Sequence, residues 1–325
     1  MSGNILIVGG AGYIGSHVGY YLNEKGYQVI VYDNLSEGHR EAVVSGDFIL
    51  GDISDSITLD KVFENNKIDA VMHFSAYAYV GESVENPEKY YRNNVSATIN
   101  LLSIMLKSNV KRLIFSSSCA TYGIPVYTPI DERHPRNPVN PYGATKVIVE
   151  RILSDYATAY GLNYISLRYF NAAGAHPNGR IGESHRVETH LIPLVLKTLT
   201  GEKDSINIFG TDYDTPDGTC IRDYIHVCDL AAAHIAALEI ILSNGDNDCV
   251  NLGTGSGISV REIISKCEQI TGMVIPTTFS GRRPGDPASL IASNDYAKHK
   301  LDFIPKYDID TIIKTAWEWE RNRRY

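Results

Sequence analysis

The feature that most restricts the fold is a pattern in the first 33 residues, where two apolar runs flank a glycine turn and an amphipathic segment. The apolar runs are Ile5–Val8 and Gln28–Tyr32, and their β-branched composition is typical of strands buried on both faces. Between them, Gly9–Gly15 precedes a predicted helix over Ser16–Lys25, which Gly26 ends. The order strand, turn, helix, strand predicts a β-α-β unit.

The glycine turn and the acid after the second strand predict a bound dinucleotide. Gly9, Gly12 and Gly15 have G-x-x-G-x-x-G spacing, and small residues let backbone N–H groups approach a pyrophosphate at a helix N-terminus. Asp33 follows Gly15 by eighteen residues, where a carboxylate accepts hydrogen bonds from the adenosine ribose. Because a carboxylate also repels a ribose phosphate, the unit favours NAD over NADP.

Further apolar runs extend the same alternation of strands and helices. Strands are predicted at Asp47–Leu50, Asp69–Phe74, Lys111–Phe115 and Asn163–Leu167, and a long helix at Pro87–Ser108. This alternation predicts an α/β fold with a doubly wound parallel (Rossmann) sheet, whose ligand lies beyond the C-terminal strand ends. Polar residues stand at those ends. One of them, Asp52, is suited either to the adenine amino group or to capping the helix near Asp55.

The composition changes after Asn171, where glycine, proline and charged residues dominate through Arg186. We predict an NAD-binding Rossmann domain over residues 1–170 and a smaller C-terminal α/β substrate lobe over residues 171–325, with about 220–250 returning to the first domain. In the second part, short strands and helices are predicted at Ile206–Phe209, Asp229–Leu242, Cys249–Leu252, Val260–Gly272 and Ile309–Trp319.

Charge and cysteine content exclude several classes of partner. The chain of 325 residues has a formal net charge of -8, and its basic residues cluster only near the end, at Arg321–Arg324, so we expect no nucleic-acid partner. No apolar run is long enough to cross a membrane, and no signal peptide is evident. The five cysteines lack C-x-x-C spacing. They predict free thiols, a cytoplasmic location and no metal site.

One heptapeptide, Asn140–Lys146, carries the candidate chemistry. Asn140 is a good N-cap and Pro141 suits the first helical position, so a helix is predicted to Tyr160. Tyr142 and Lys146 then share one face. A helix N-terminus and a nearby ammonium would both lower the tyrosine pKa from its usual ~10. Taken alone, the heptapeptide fits an ordinary capped helix with one exposed tyrosine and one exposed lysine somewhat better.

Short motifs along almost the whole chain together match the pattern of one known family. They are Gly9–Gly15, His73-Phe74, Val80–Ser83, Tyr90–Asn94, Ser116–Ser118, Pro141–Lys146, Leu167–Asn171, Gly174–Pro177, Arg222–His226 and Arg283–Asp286. This set resembles the extended short-chain dehydrogenase/reductase family, and within it the branch of NAD-dependent nucleotide-sugar epimerases. The Tyr-x-x-x-Lys pair with a glycine turn is specific for the family, and the full set is specific for that branch.

The resemblance implies a catalytic set of Ser118, Tyr142 and Lys146 that interconverts UDP-galactose and UDP-glucose. Tyr142 would take the proton of the sugar 4-hydroxyl while a hydride passes from the fourth carbon to NAD. The resulting 4-keto sugar would turn over and receive the hydride on its other face. Lys146 would bind the nicotinamide ribose and, together with the positive nicotinamide ring, lower the Tyr142 pKa. Ser118 would hydrogen-bond the reacting oxygen.

The resemblance also implies two sets of ligand contacts and an assembly. The cofactor contacts are Gly9, Gly12, Tyr13, Ile14, Gly15, Asp33, Asn34, Asp52, Ile53, Phe74, Asn93, Ser116, Tyr142, Lys146 and Tyr169. The UDP-sugar contacts are Ser118, Tyr142, Asn171, His190, Leu191, Asn207, Phe209, Arg222, Arg283, Asp286 and Leu290. Within the second set, Asn171 and the two arginines would bind the diphosphate and Asp286 the uridine ribose. A homodimer is implied, with a four-helix interface from the helices at 87–108 and 141–160.

Departures from the commonest pattern bear on the choice between related activities. Cys119-Ala120 stands where related dehydratases carry an Asp-Glu pair, which counts against elimination of water. A pentose 4-epimerase stays open as an alternative, and a non-catalytic NAD-binding protein is disfavoured because both Tyr142 and Lys146 are present. Leu290 stands where a bulky tyrosine would narrow the sugar pocket, so N-acetylated UDP-sugars are expected as further substrates. Ala78 and His190 also depart from the common pattern.

Overall fold

The computed structural model describes residues 3–283 and 285–325. Pro284, part of the Arg283–Asp286 motif, lies outside the described residues. The strands are β1 (Asn4–Val8), β2 (Gln28–Asp33), β3 (Asp47–Leu50), β4 (Ala70–His73), β5 (Arg112–Ser118), β6 (Asn163–Tyr169), β7 (Asn171–Ala173), β8 (Ile206–Phe209), β9 (Ile221–His226), β10 (Asp248–Leu252), β11 (Gly257–Ser259), β12 (Thr277–Ser280) and β13 (Ser289–Leu290). The helices are α1 (Tyr13–Glu24), α2 (Ser56–Asn65), α3 (Val80–Glu85), α4 (Pro87–Tyr90), α5 (Ala97–Lys107), α6 (Pro141–Tyr160), α7 (Leu191–Leu199), α8 (Val227–Leu242), α9 (Val260–Thr271), α10 (Asp295–Leu301) and α11 (Ile309–Arg321).

The predicted doubly wound sheet is confirmed. Seven parallel strands lie in the order β10-β6-β5-β4-β1-β2-β3. Alternate residues of β1 point to opposite faces: Ile5 and Ile7 pack with α1 and α8, whereas Leu6 packs with α2, α5 and α6. All three side chains are fully buried, and each such burial stabilises the fold by roughly 1.5–3 kcal/mol.

A smaller set of strands and helices follows β6. The strands β11, β9 and β13 form one sheet, β7 pairs with β9, and β12 pairs with β8. Beside them α7, α9 and α11 enclose a separate apolar cluster that includes Ile192, Ile263 and Ile313. The chain then returns to the large sheet, since α8 packs with α1 in its core and β10 pairs with β6. The strand β9, which begins that return segment, belongs to the smaller sheet.

Several predicted boundaries differ from those observed. The strands β5 and β6 extend further than expected, so that Ser116–Ser118 lie on β5 itself, while β4 is shorter at both ends. The predicted helix Pro87–Ser108 contains a π-helical turn over Tyr91–Ser96. Within that turn, Asn94 exchanges two hydrogen bonds of 3.0 Å with the backbone of Tyr77, a contact that helix propensity does not reveal. Among elements that were not predicted are α3, α7, α10 and the short strands β7 and β11–β13.

Two expectations drawn from composition can be compared with the structure. The five cysteines are unpaired in the part of the chain that the structure describes, as predicted. Within residues 3–283 and 285–325, every helix is too short or too polar to pass through a bilayer.

Candidate active site

The glycine turn between β1 and α1 is closed tightly by its neighbours. Gly9 has a φ of +80°, and a Cβ there would lie 2.5 Å from the Ser75 backbone nitrogen. A Cβ on Gly15 would lie 2.4 Å from the Gly9 carbonyl oxygen, so the helix packs directly on the turn. Gly12 is the N-cap of α1 and brings no side chain to its first N–H groups. A backbone cradle of this kind fits a pyrophosphate.

A cleft with about 520 Å³ of empty space opens beside this turn. Predicted cofactor residues that line it are Gly9, Gly12, Asp33, Asn34, Asp52, Ile53, Phe74 and Asn93. The Asp33 carboxylate accepts hydrogen bonds from the backbone N–H groups of Ala11 (2.9 Å) and Leu35 (2.8 Å). These bonds fix its orientation, and each oxygen retains a further lone pair for a ribose hydroxyl.

The structure distinguishes between the two roles considered for Asp52. Asp55, and not Asp52, caps α2 by accepting from the N–H groups of Ile57 and Thr58. The Asp52 carboxylate accepts from the Asn34 side chain at 2.6 Å and lines the cleft. The capping alternative for Asp52 is therefore wrong.

The helix α6 begins as predicted and presses on the turn that follows β5. The Asn140 side chain accepts from the Gly143 N–H at 2.8 Å, and Pro141 occupies the first turn. A Cβ on Gly143 would lie 2.4 Å from the carbonyl oxygen of Ala120. This close approach brings the first turn of α6, with Tyr142, to the end of β5, where Ser118 lies.

The expected low pKa of Tyr142 is wrong for the chain on its own. Burial raises the Tyr142 pKa to about 12, although a hydrogen bond with the Ser118 side chain acts in the opposite direction. The Lys146 ammonium lies 5.7 Å from the centre of the Tyr142 ring and donates instead to the Ser116 carbonyl oxygen at 2.7 Å. Burial also lowers the Lys146 pKa to about 7, because desolvation disfavours its charged form.

A buried ion pair anchors this helix, and the sequence analysis did not identify it. Glu150, one turn after Lys146, binds the guanidinium of Arg168 on β6 at 2.6 Å. The Ser117 hydroxyl donates to the same carboxylate at 2.7 Å. All three side chains are buried. The available signals were a carboxylate four residues after Lys146 and an arginine within an apolar strand.

The remaining predicted cofactor residues lie around the turn and the strand ends. The Tyr13 hydroxyl donates to the Gly174 carbonyl oxygen at 2.6 Å, and Ile14 packs against the core. Tyr169 and Ser116 are hydrogen-bonded to each other through their hydroxyl groups. Burial is the main cause that raises the pKa of Tyr169, so it stays a neutral donor or acceptor beside Tyr142.

Many of the predicted substrate residues lie on β8, β9 and β13, and several contact one another. The Arg222 guanidinium binds the Asp286 carboxylate at 2.5 Å, although the resemblance assigns them to different parts of the substrate. The Arg283 guanidinium lies 3.8 Å from the centre of the Phe209 ring. Leu290 pairs with Arg222 in the register of β13 and β9.

Other predicted substrate residues are engaged by polar neighbours or stand at helix ends. The Asn171 side chain donates to the Asp223 carbonyl oxygen at 3.1 Å, and the Asn207 side chain donates to the Ser280 hydroxyl at 2.9 Å. Leu191 is the first residue of α7, and His190 is its N-cap.

His190 belongs to a compact group of charged side chains that sequence reasoning missed. The group consists of Glu183, His185, Glu188 and His190, in the sequence order Glu-x-His-x-x-Glu-x-His. Burial alone would lower the pKa values of the two histidines. The glutamates outweigh it and raise them to about 9 for His185 and about 10 for His190. The spacing of these four residues was the available signal.

A parallel sheet with a glycine turn, an acid after its second strand and a Tyr-x-x-x-Lys helix is typical of the extended short-chain dehydrogenase/reductase class. Residues 5–253 match the NAD dependent epimerase/dehydratase family. The chain belongs to this family.

Individual relatives are similar to this chain over nearly its full length. The UDP-glucose 4-epimerase of Halalkalibacterium halodurans is 52% identical over 318 residues, which covers 98% of this chain and 95% of the relative. The crystal structure of UDP-glucose 4-epimerase from Brucella ovis in complex with NAD is 53% identical with a TM-score of 0.95, covering 97% of each chain. The Bifidobacterium longum enzyme in complex with NAD+ and UDP is 39% identical with a TM-score of 0.94, covering 98% of each chain.

Proposed function

We propose that this chain is an NAD-dependent UDP-glucose 4-epimerase that interconverts UDP-galactose and UDP-glucose. The observation that carries the proposal is the convergence of Ser118, Tyr142 and Lys146 at the end of β5. Their arrangement depends on the contact of Gly143 with Ala120 and on the bond from Lys146 to Ser116. Relatives about half identical to this chain carry that enzyme name.

In this proposal Tyr142 is the acid and base. Its phenolate would take the proton of the sugar 4-hydroxyl, and the phenol so formed would later return a proton to the same oxygen. The cleft lined by Gly9, Gly12 and Asp33 would hold NAD, which would supply reversible hydride acceptance, so the reaction would have no net redox change. Because the Tyr142 pKa is about 12 in the chain alone, deprotonation needs positive charge beside the ring. The nicotinamide ring of bound NAD would supply it, together with Lys146 in its charged form.

The substrate residues divide by chemistry. Arg222 and Arg283 supply guanidinium groups, which bind diphosphate oxygens well, and Asn171 adds an amide. Asp286 would accept a hydrogen bond from the uridine ribose, and the segment from Asn207 to Phe209 would border the uracil. His190 and Leu191, at the start of α7, would approach the phosphates and the sugar.

The test is the conversion itself. Purified protein is incubated with UDP-galactose without added cofactor, and the products are followed by NMR. We expect UDP-glucose without accumulation of NADH. Net NADH release, or loss of water from the sugar, would contradict the proposal.

A matched pair of variants assigns the base. Tyr142→Phe should fold and retain NAD but lose nearly all turnover, since proton transfer by a placed group contributes about 10²–10⁴-fold. Tyr160→Phe, at the exposed end of the same helix, should keep wild-type turnover. Turnover in Tyr142→Phe close to that of Tyr160→Phe would remove Tyr142 from this role.

We also propose that N-acetylated UDP-sugars are accepted. Leu290 is partly buried and packs against the cluster of Tyr122, Ile130, Phe170 and Ala292, where a tyrosine would take up more space. Leu290→Tyr should therefore reduce turnover of UDP-N-acetylglucosamine more than that of UDP-glucose. If the wild-type chain gives no UDP-N-acetylgalactosamine at high enzyme concentration, this substrate class is excluded.

A homodimer is the assembly we propose, with α5 and α6 at the interface. The support is a group of exposed apolar side chains on and beside these helices: Val84, Tyr91, Ile99 and Ile148. Light scattering should give twice the 36.0 kDa chain mass, and Ile99→Glu combined with Ile148→Glu should shift it to the monomer. A cytoplasmic location is proposed on the unpaired cysteines.

A further inference from the structure

Four side chains with metal-binding atoms converge in the segment between β7 and α7. One ligand atom from each of Glu183, His185, Glu188 and His190 can be chosen so that all four lie within 4.8 Å of one another. Both histidines turn the same atom, Nδ1, toward the group. Carboxylate and imidazole groups alternate around it, so that each histidine nitrogen contacts both glutamates.

The distances within the group resemble those of a small coordination shell. His185 Nδ1 lies 3.3 Å from Glu183 Oε1 and 3.3 Å from Glu188 Oε2. His190 Nδ1 lies 2.7 Å from Glu183 Oε1 and 3.4 Å from Glu188 Oε1. Around a tetrahedral zinc ion with bonds of about 2.05 Å, neighbouring ligand atoms are about 3.3 Å apart. If Glu188 Oε2 is its ligand atom, both contacts of His185 Nδ1 agree with that spacing, and the 2.7 Å contact of His190 with Glu183 needs only a small outward movement.

The surroundings hold the carboxylates in place and in a low-dielectric position. The side chains of Glu183 and Glu188 are each only 5% exposed. Trp319 Nε1 donates to the Glu183 carbonyl oxygen at 2.8 Å, and Glu188 Oε1 accepts from the backbone of Thr189 and His190. Two buried carboxylates this close require compensating positive charge, which the two protonated histidines supply in the chain alone and a divalent ion would supply in their place.

One histidine of the group is held by aromatic neighbours, and the other is open to solvent. The His185 ring makes edge contacts with the rings of Tyr13 and Tyr79. The His190 side chain is 49% exposed, which gives an ion a path from solvent. Two imidazole nitrogens and two carboxylate oxygens form a donor set that suits zinc and its neighbours in the transition series.

We propose that Glu183, His185, Glu188 and His190 form a four-coordinate site for one divalent transition-metal ion of the zinc class. Such an ion would tie the segment before α7 to the first turn of α1 through His185 and Tyr13. The cysteine spacing predicts no metal site, but the four residues of this group are glutamates and histidines. The metal site shares His190 with the proposed substrate contacts, but neither Tyr142 nor Lys146 takes part, so metal binding and turnover can be measured separately.

The test uses the full chain with its retained NAD, without an affinity tag and after dialysis against a chelator. Co²⁺ is titrated in while the visible spectrum is recorded, and Zn²⁺ binding is measured by calorimetry. We expect one ion per chain and the intense visible absorption of four-coordinate Co²⁺. His185→Gln and Glu188→Gln should each weaken Zn²⁺ binding at least about tenfold, because even outer-shell partners of a metal contribute that much.

His299→Gln is the matched control, since this histidine is exposed on α10, away from the group. It should bind Zn²⁺ like the wild-type chain. Absence of saturable binding, a weak octahedral Co²⁺ spectrum, or equal affinity in His185→Gln and His299→Gln would show an ion-pair network only and overturn the proposal. The wild-type Co²⁺ spectrum decides even if a cluster variant does not fold. No substrate is present, so the result leaves the proposed activity untouched.

Discussion

The two sides of the candidate active site are built in different ways. The sheet side comprises the ends of β1, β2, β4, β5 and β6 with the first turns of α1 and α6. There, backbone groups fix two central side chains: N–H groups hold Asp33, and the Ser116 carbonyl oxygen holds Lys146. The lobe side comprises β8, β9, β13 and residues 183–190. There, functional side chains hold one another, as in the pair of Arg222 with Asp286.

This difference indicates how each side responds to a ligand. A group held by the backbone cannot rotate away, so the sheet side is organised before any ligand binds. A partly exposed ion pair contributes only about 0–1 kcal/mol, so the lobe side can exchange its internal contacts for contacts with an anion. We therefore expect substitutions that disturb the backbone contacts of the sheet side to reduce stability and cofactor retention, and those that break ion pairs of the lobe side to change mainly ligand affinity.

The largest effect is expected for Gly9→Ala, which adds a side-chain carbon where the backbones of the sheet side approach each other closely. The new Cβ would lie 2.5 Å from the backbone of Ser75 at a φ of +80°, and neither strand end can withdraw without breaking the sheet. We expect a loss of several kcal/mol and release of NAD, measured by thermal unfolding and by NAD content per chain.

Gly179→Ala separates backbone strain from collision. Gly179 has a similar positive φ of +66° but no heavy atom within 4 Å of a Cβ. We expect a loss of about 1 kcal/mol with full NAD content. Equal losses in the two variants would mean that strain alone, and not the close approach of β1 to Ser75, matters at Gly9.

The next largest effect is expected at the buried ion pair between Glu150 on α6 and Arg168 on β6. Glu150→Gln leaves the guanidinium of Arg168, which is 3% exposed, without its charged partner. Breaking a buried pair on one side destabilises by about 3–5 kcal/mol, which chemical denaturation would measure. Asp155→Asn, which removes the exposed partner of Arg151 on the same helix, should change stability by less than about 1 kcal/mol. Similar losses in both would contradict the importance of burial on the sheet side.

A smaller effect, of opposite sign, is expected at Lys146 in the chain stripped of NAD. Burial lowers the Lys146 pKa from 10.5 to about 7, so between these two pH values the unfolded chain binds more protons than the folded chain. Stability therefore rises with pH across this window. Lys146→Met removes the buried ammonium and should stabilise the stripped chain at pH 7 by on the order of 2 kcal/mol, after the lost bond to Ser116 is counted.

Urea unfolding of both chains at pH 7 and pH 9.5 measures this effect. The stability advantage of Lys146→Met should shrink as the pH rises toward 10.5. An advantage that is constant or grows with pH would mean that Lys146 is not a buried, destabilised cation. The sheet side would then carry no stored electrostatic penalty that a cofactor could relieve.

The sequence predicted the sheet side better than the lobe side. The glycine turn, the acid at 33 and the Asn140 cap depend on residues close together in the chain, and their positions were predictable from local rules. The pairs Glu150–Arg168 and Arg222–Asp286 join residues 18 and 64 positions apart, which no periodicity reveals. The π-helical turn at Tyr91–Ser96 and the pKa of Tyr142 also escaped prediction, because both depend on packing by distant residues.

The smallest effect, and the most specific for the lobe side, is expected for Asp286→Asn. The Asp286 side chain is 31% exposed and that of Arg222 is 12% exposed, so stability should change by less than about 1 kcal/mol. Asparagine keeps an oxygen that can accept from a ribose hydroxyl, but without the negative charge it holds the guanidinium less strongly. Arg222 should therefore bind a diphosphate more readily, and UDP affinity should rise by up to about fivefold. Calorimetry with UDP measures this change, and uridine, which lacks the diphosphate, should show no gain. If UDP binding weakens instead, the hydrogen bond from the ribose to the carboxylate is worth more than the loss caused by pairing Arg222 with Asp286. The lobe side would then be organised before binding, like the sheet side.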